Sequence, residues 1–311
     1  MCILIKMKNI KNNKNLFLLI LLIILMIIGY QSIYDGSPIN DSASTMNVNG
    51  VPREYILYIP STYDGSTPVP LMLNFHGWTM SATDQMELSD MRSLADSKRF
   101  ILVYPQGTIF QGSTHWNVGS WTTGSPSDDL EFVDQLIHHI STHHNIDMKR
   151  IYAAGYSNGG FFSQELACKL SNHIAAIGTV GANMSTRTKD NCNPSHPIPL
   201  VTISGTHDNE VSYDGTIPEG QISHDAVLKY WINYNQTDTS PMISDLPNVN
   251  TTDGSTVKLY QYKNGRNNVE IEHYKLINGG HDWPGIYGNM DINANSIIWN
   301  FVSRFDINGK I

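Results

Sequence analysis

The chain is sparing with cysteine and with positive charge. Its 311 residues include three cysteines, and Lys and Arg number 20 against 28 Asp and Glu. Four of those lysines (Lys6, Lys8, Lys11, Lys14) stand in the first thirty residues, which hold no acid. The remainder is thus 16 basic against 28 acidic, and such a surface repels polyphosphate chains and anionic headgroups; nucleic acid and membrane surfaces are not expected partners. No apolar run reaches the roughly 20 residues that span a bilayer; the longest, residues 16–28, has 13. Preceded by the lysines, it reads as an export signal over 1–30. The small-x-small triplet Ser42-Ala43-Ser44 lies well downstream, so an uncleaved signal anchor is the alternative. In either case the lysines stay inside and the rest is exported. Internal repeats and composition breaks are lacking too, which gives a polar linker over 31–48 and one large domain over 49–311.

With Cys2 in the export segment, Cys168 and Cys192 are the only other cysteines. An oxidising compartment favours a disulfide between them, the alternative being two buried thiols. Asn40, Asn183, Asn235 and Asn250 each open an N-x-[ST] triplet, which matters only in a host that glycosylates.

From residue 53 onward, strand-like and helix-like patterns alternate. Residues 54–59, 69–75, 100–104, 175–180, 200–204, 257–262 and 269–276 read as strands, with 69–75 an almost unbroken apolar run suited to a buried central strand. Helical periods occupy 85–95, a stretch after Asp128 and Asp129 with Leu130, Phe132, Val133, Leu136 and Ile140 on one face, 226–231, and about 295–305. Alternation of this kind means crossover connections and a mostly parallel sheet, hence an α/β class. The irregular stretches 108–127 and 238–255 are long enough to be site-building.

The chemistry centres on residues 151–162, an apolar strand, a pinched turn and the start of a helix. The turn is G-x-S-x-G: Gly155, Ser157, Gly159. A serine hydroxyl is a weak nucleophile unless held clear beside a base, and a strand-to-helix elbow does that where the flanking positions carry almost no side chain. The amide of Asn158 then lies at a helix N-terminus, aimed at a developing oxyanion. Catalytic groups in parallel sheets gather past the carboxyl ends of strands. Asp208 follows the strand 200–204, and His281 sits in a glycine-flanked loop after 269–276, giving the order Ser157, Asp208, His281 of the α/β-hydrolase fold. Glu210 and Asp282 are rival acids; Asp208 is nearer its strand end, and Asp282 directly follows His281. The segment Asn74-Phe75-His76-Gly77-Trp78 ends a buried strand where a second oxyanion donor is needed, so the amide of Trp78 is the candidate and His76 a structural residue. Among the other histidines, His138, His139, His143 and His144 crowd one helix; His139 and His143 have metal-ligand spacing without a nearby carboxylate, and a solvated helix face is the expectation. No metal or cofactor is expected.

The segments His76-Gly77, Tyr104-Pro105-Gln106-Gly107, Trp116-Asn117, Asp128-Asp129, Gly155-Tyr156-Ser157-Asn158-Gly159-Gly160, Cys192-Asn193-Pro194-Ser195, Gly205-Thr206-His207-Asp208 and Gly280-His281-Asp282-Trp283-Pro284-Gly285 occur in this order. From about residue 50 to the end the chain resembles secreted esterases of the polyhydroxybutyrate depolymerase and feruloyl esterase group, in carbohydrate esterase family 1. The resemblance implies an α/β-hydrolase fold, Ser157, Asp208 and His281 as triad, Trp78 and Asn158 as oxyanion hole, and a Cys168–Cys192 disulfide. It departs at Trp78, where members often carry a small residue or Cys, and at Asn209, where proline is usual. The expected activity is serine carboxylic-ester hydrolysis through an acyl-enzyme, on feruloyl or acetyl esters of plant polysaccharide or on hydroxyalkanoate esters. Trp116, Trp121 and Trp283 are the candidate cleft walls besides Trp78. A non-catalytic binding protein on this fold, and a thioesterase or peptidase with the same triad, are the alternatives.

Overall fold

The structure, a computed structural model, describes residues 41–311. The export segment and residues 31–40 of the linker lie outside the described residues.

Ten strands form one sheet, in the spatial order Asp41–Val48, Val51–Tyr58, Ile101–Pro105, Val69–Phe75, Ile146–Tyr156, Ile174–Val180, Leu200–Gly205, Ile271–Ile277, Thr256–Tyr262 and Met242–Asp245. The six strands from Ile101–Pro105 to Ile271–Ile277 run parallel, and an antiparallel pair closes each edge. The expected α/β architecture is therefore present. Side-chain alternation divides the core between the faces of the sheet. Leu71, Leu73 and Phe75 join one cluster with Phe132, Leu136, Phe161, Phe162, Val227 and Trp231 from three helices. Met72 joins the other with Ala95, Leu102, Tyr104, Tyr152, Ile298 and Trp299.

Two boundaries differ from the expectation. Residues 41–48, assigned to the linker, are the outermost strand, in antiparallel register with Val51–Tyr58 from Asp41 opposite Tyr58 to Val48 opposite Val51. Their small and polar side chains suit an edge strand, where backbone pairing replaces burial. The single helix expected over 85–95 is two, Ala82–Leu88 and Arg92–Lys98. The break is pinned from inside the core: Ser89 Oγ accepts from Asn74 Nδ2 (2.8 Å) and Gln85 Nε2 (3.1 Å), and the Tyr104 hydroxyl donates to the Ser89 carbonyl (3.0 Å). Buried polar partners outweigh the local helical period there. The long stretch 108–127 holds a short hairpin (Thr108–Phe110 with Ser113–His115) and a single turn of 3₁₀-helix.

The expected disulfide is present. Cys168, near the end of helix Asn158–Lys169, is bonded to Cys192, with Cα atoms 4.6 Å apart.

Candidate active site

Four loops meet past the carboxyl ends of the parallel strands, and each brings one part of the site. Strand Ile146–Tyr156 runs into Ser157, whose φ of 53° and ψ of −121° are sparsely populated for a residue with a side chain. The surroundings enforce that conformation. The Ser157 amide donates to the Val180 carbonyl (2.9 Å), and its own carbonyl accepts from Phe161 as the helix begins (3.0 Å). Gly159 passes so close under the neighbouring strand that an added Cβ would stand 2.2 Å from the Phe75 carbonyl oxygen. The G-x-S-x-G spacing is thus a packing requirement.

The loop after Val69–Phe75 lies directly against the serine. A Cβ on Gly77 would be 3.4 Å from the Ser157 Cβ. His76 fixes this loop. The Gly107 amide donates to His76 Nε2 (2.9 Å), so the proton is on Nδ1, which donates to the Gly77 carbonyl (2.7 Å). Burial holds the His76 pKa down to about 4, keeping the ring neutral. The amides of Trp78 and Asn158 donate to no acceptor among the described residues, and Asn158 is the first residue of its helix, where free amides and the helix dipole both favour negative charge.

On the opposite side, His281 Nδ1 and Asp208 Oδ2 are 2.6 Å apart, with the carboxylate side chain 2% exposed and the histidine 16%. The second oxygen, Asp208 Oδ1, accepts from the amides of Glu210 (2.9 Å) and Val211 (2.7 Å). Asp208 is therefore held by its own loop and presents its remaining oxygen to the histidine. Of the rivals, Asp282 receives the amides of Gly280 and Asn289 (both 3.2 Å) and braces the loop; burial pushes its carboxyl above the usual range. Glu210 faces the cleft. The His281 ring lies against Gly181 and against the Tyr156 ring, and these are the residue after Val180, which holds the Ser157 amide, and the residue before Ser157.

A cleft of about 250 Å³ opens at this point, lined by Trp78, Trp121, Ser157, Asn158, Phe161, Glu210, Val211 and Pro218. It brings together Ser157, both oxyanion candidates and one expected wall, Trp121, whose ring edge meets Phe161 at 5.1 Å. Two other expected walls are not in it. Trp116 is fully buried, stacked on Phe162 at 4.9 Å and donating its indole N–H to the His76 carbonyl (3.0 Å). Its backbone binds the Asn158 side chain at both ends (2.7 and 3.2 Å), so it supports the elbow from behind. Trp283 is also fully buried and donates to Asn295 Oδ1 (3.1 Å). A Gly/Ser-rich loop can fold inward wherever its tryptophan finds an acceptor, and sequence does not show the acceptor. Of the lining residues missed, Phe161 had a signal: it is four residues after Ser157, on the same helix face. Glu210 and Val211 had one in their place beside Asp208.

The histidines His139 and His143 are ring neighbours at 4.5 Å on an outer helix, and among the described residues no group of three or more His, Cys, Asp or Glu is arranged to hold a metal. Nor is any described helix long and apolar enough to cross a membrane.

Residues 53–189 match the family model described as esterase PHB depolymerase. The chain is 28% identical over 267 residues to a bifunctional acetylxylan esterase/xylanase of Neocallimastix patriciarum, covering 84% of this chain and 35% of that protein. It is 28% identical over 265 residues to feruloyl esterase B of Piromyces equi, covering 82% and 46%. The chain thus spans less than half the length of these relatives. Among solved structures, an acetyl xylan esterase from Aspergillus awamori superposes with a TM-score of 0.58 at 14% identity, over 84% of this chain and 99% of that one, a likeness of fold. The resemblance read from the motifs is borne out, as is the α/β-hydrolase architecture.

Proposed function

We propose that this chain, a relative of the esterase PHB depolymerase family and of proteins named feruloyl and acetylxylan esterases, is an exported serine carboxylic-ester hydrolase that attacks acyl esters of plant polysaccharide. The observation that carries the reading is the 2.6 Å contact of Asp208 with His281 beside a serine held at positive φ on a helix N-terminus. Asp208 keeps the His281 proton on Nδ1, leaving Nε2 free to take the Ser157 proton as Oγ attacks the ester carbonyl. The amides of Trp78 and Asn158 donate to the oxyanion that forms. The imidazolium returns its proton to the departing alcohol, leaving an acyl-serine. Water then enters by the same base and releases the acid. The aromatic walls Trp78, Trp121 and Phe161 suit a flat acyl ring or a sugar face, and their broad ring area favours these over a short hydroxyalkanoate. A disulfide fits an oxidising compartment, which supports export.

The test assays the full chain and Ser157→Ala on methyl ferulate, acetylated xylan and 3-hydroxybutyrate oligomers. Turnover of ferulate or acetylxylan should fall about a thousandfold or more without the nucleophile. A preference for the oligomers would move the substrate to hydroxyalkanoates. No turnover on any of these, nor on an activated butyrate ester, would leave a binding protein on a hydrolase fold.

A further inference from the structure

Tyr156 precedes the nucleophile, and its side chain turns back onto the base. Its ring centroid is 4.7 Å from that of His281, with the planes 33° apart. Its hydroxyl donates to the main-chain carbonyl of His281 (2.7 Å), and the Tyr287 hydroxyl reaches the same oxygen (2.9 Å). The two phenols also contact each other. Two hydroxyl protons therefore serve three contacts, two of which converge on one carbonyl. Space for this arrangement comes from Gly181, where a Cβ would stand 3.0 Å from the imidazole and 3.4 Å from the Tyr156 ring.

We propose that Tyr156 is a positioning residue for the base, its ring face stabilising the His281 imidazolium while its hydroxyl and that of Tyr287 fix the histidine backbone. The inference deepens the esterase reading, in which that imidazolium forms during each proton transfer. An aromatic face attracts a cation set against it, the more so where water is kept out. Tyr156 is 7% exposed, so this face is dry. Asp208 faces the ring from the acid loop, and Asp282 and the Tyr287 phenol from the histidine's own loop. All three remain in the variants below except where Tyr287 is itself changed. Burial raises the phenol pKa of both tyrosines, so they stay protonated donors through neutral pH.

The ring and the hydroxyl separate in two variants. Tyr156→Phe keeps the aromatic face and loses a hydrogen bond; Tyr156→Leu fills the space without either. The His281 pKa is read by NMR of the imidazole in a Ser157→Ala background, the signal assigned by its loss in His281→Gln. Leu should lower it by about half a unit relative to Phe, the size of a modest cation–π contact. In enzyme retaining Ser157, Phe and Tyr287→Phe should each lower kcat/KM about three- to tenfold, the worth of one net hydrogen bond, with the acid limb of the pH profile unmoved in Tyr156→Phe. Equal pKa values in Phe and Leu would overturn the role of the ring, and unchanged kcat/KM in both phenylalanine variants would overturn that of the hydroxyls. Melting temperatures identify a variant that has merely lost stability, and Phe, nearly isosteric, guards against that outcome. If the parent hydrolyses no ester yet the pKa moves as stated, the imidazolium contact stands and the esterase reading fails.

Discussion

The two sides of the cleft are built by different means. On the nucleophile side, backbone does the work: Ser157 is fixed by main-chain bonds to Val180 and Phe161, and Gly159 lets its helix pass against the Phe75 carbonyl. On the acid–base side, side chains hold loops: Asp208 gathers the amides of Glu210 and Val211, Asp282 those of Gly280 and Asn289, and two phenols meet the His281 carbonyl. A backbone junction has one solution and fails when a single carbon is added. A side-chain network loses one bond at a time. The nucleophile side should therefore break as a fold, and the base side as an activity.

The largest effect should come from the junction. Gly159→Ala puts a Cβ 2.2 Å from a backbone oxygen of a central strand, and neither partner is the free end of a flexible side chain. Strand and helix must separate, so the variant should be unfolded or insoluble, by circular dichroism and melting temperature, and not merely inactive. A folded, stable Gly159→Ala would mean that the elbow has slack the geometry does not show.

The next effect should come from three buried histidines, one on the nucleophile side and two on the acid side. His76 lies behind the oxyanion loop. The His224 and His273 rings lie 4.4 Å apart, tilted by 34°, beneath the acid loop, His273 Nε2 meeting the Tyr213 hydroxyl (3.0 Å) and His224 Nδ1 the Asn183 amide oxygen (2.9 Å). Burial lowers all three pKa values: to about 4 for His76, about 3 for His273, and well below the ordinary value for His224. Because the folded values are depressed, the unfolded chain binds more protons below pH 6.5. Their neutral forms thus contribute stability fully present above that pH and lost as pH falls toward 4, at roughly 2 kcal/mol per histidine by pH 5. Urea midpoints measured at pH 7, 6 and 5 should fall steadily. A flat series would show that these rings reach water or a charged partner.

The same contrast explains what was legible in the sequence. Ser157, Asp208 and His281 could be proposed because strand ends and glycine spacing are local patterns, and the structure places all three past the carboxyl ends of parallel strands. His76 could be read as structural because it stands in the segment after a buried strand where a backbone amide, that of Trp78, is the group the site needs. What escaped depends on side-chain direction. Trp116 and Trp283 went into the core because each found an acceptor on a distant segment, and the helix over 85–95 broke where Asn74 and Tyr104 reached Ser89. Tyr156 fills an x position of G-x-S-x-G, and nothing local indicates that its hydroxyl meets residue 281. Edge strand 41–48 was hidden by polarity, because pairing at a sheet edge requires little apolar surface.

The smallest of these effects belongs to the clip between the elbow helix and the segment that follows it. Cys168 is fully inside the core while Cys192 is only partly covered, and the bond closes a loop with a sequence separation of 24. Restricting an unfolded loop of that length stabilises the fold by about 3 kcal/mol in the chain-entropy account. Cys192→Ser should lower the melting temperature by several degrees, about 2–4 °C per kcal/mol in a domain of this size. The loss should be in stability and not in kcat/KM, since Cys168 sits at the far end of the helix from Ser157, eleven residues and roughly 16 Å along its axis. A variant that melted normally but turned over slowly would reverse the comparison: the loop 191–197 would then be tuning Ser157, whose own conformation is held by main-chain bonds to Val180 and Phe161.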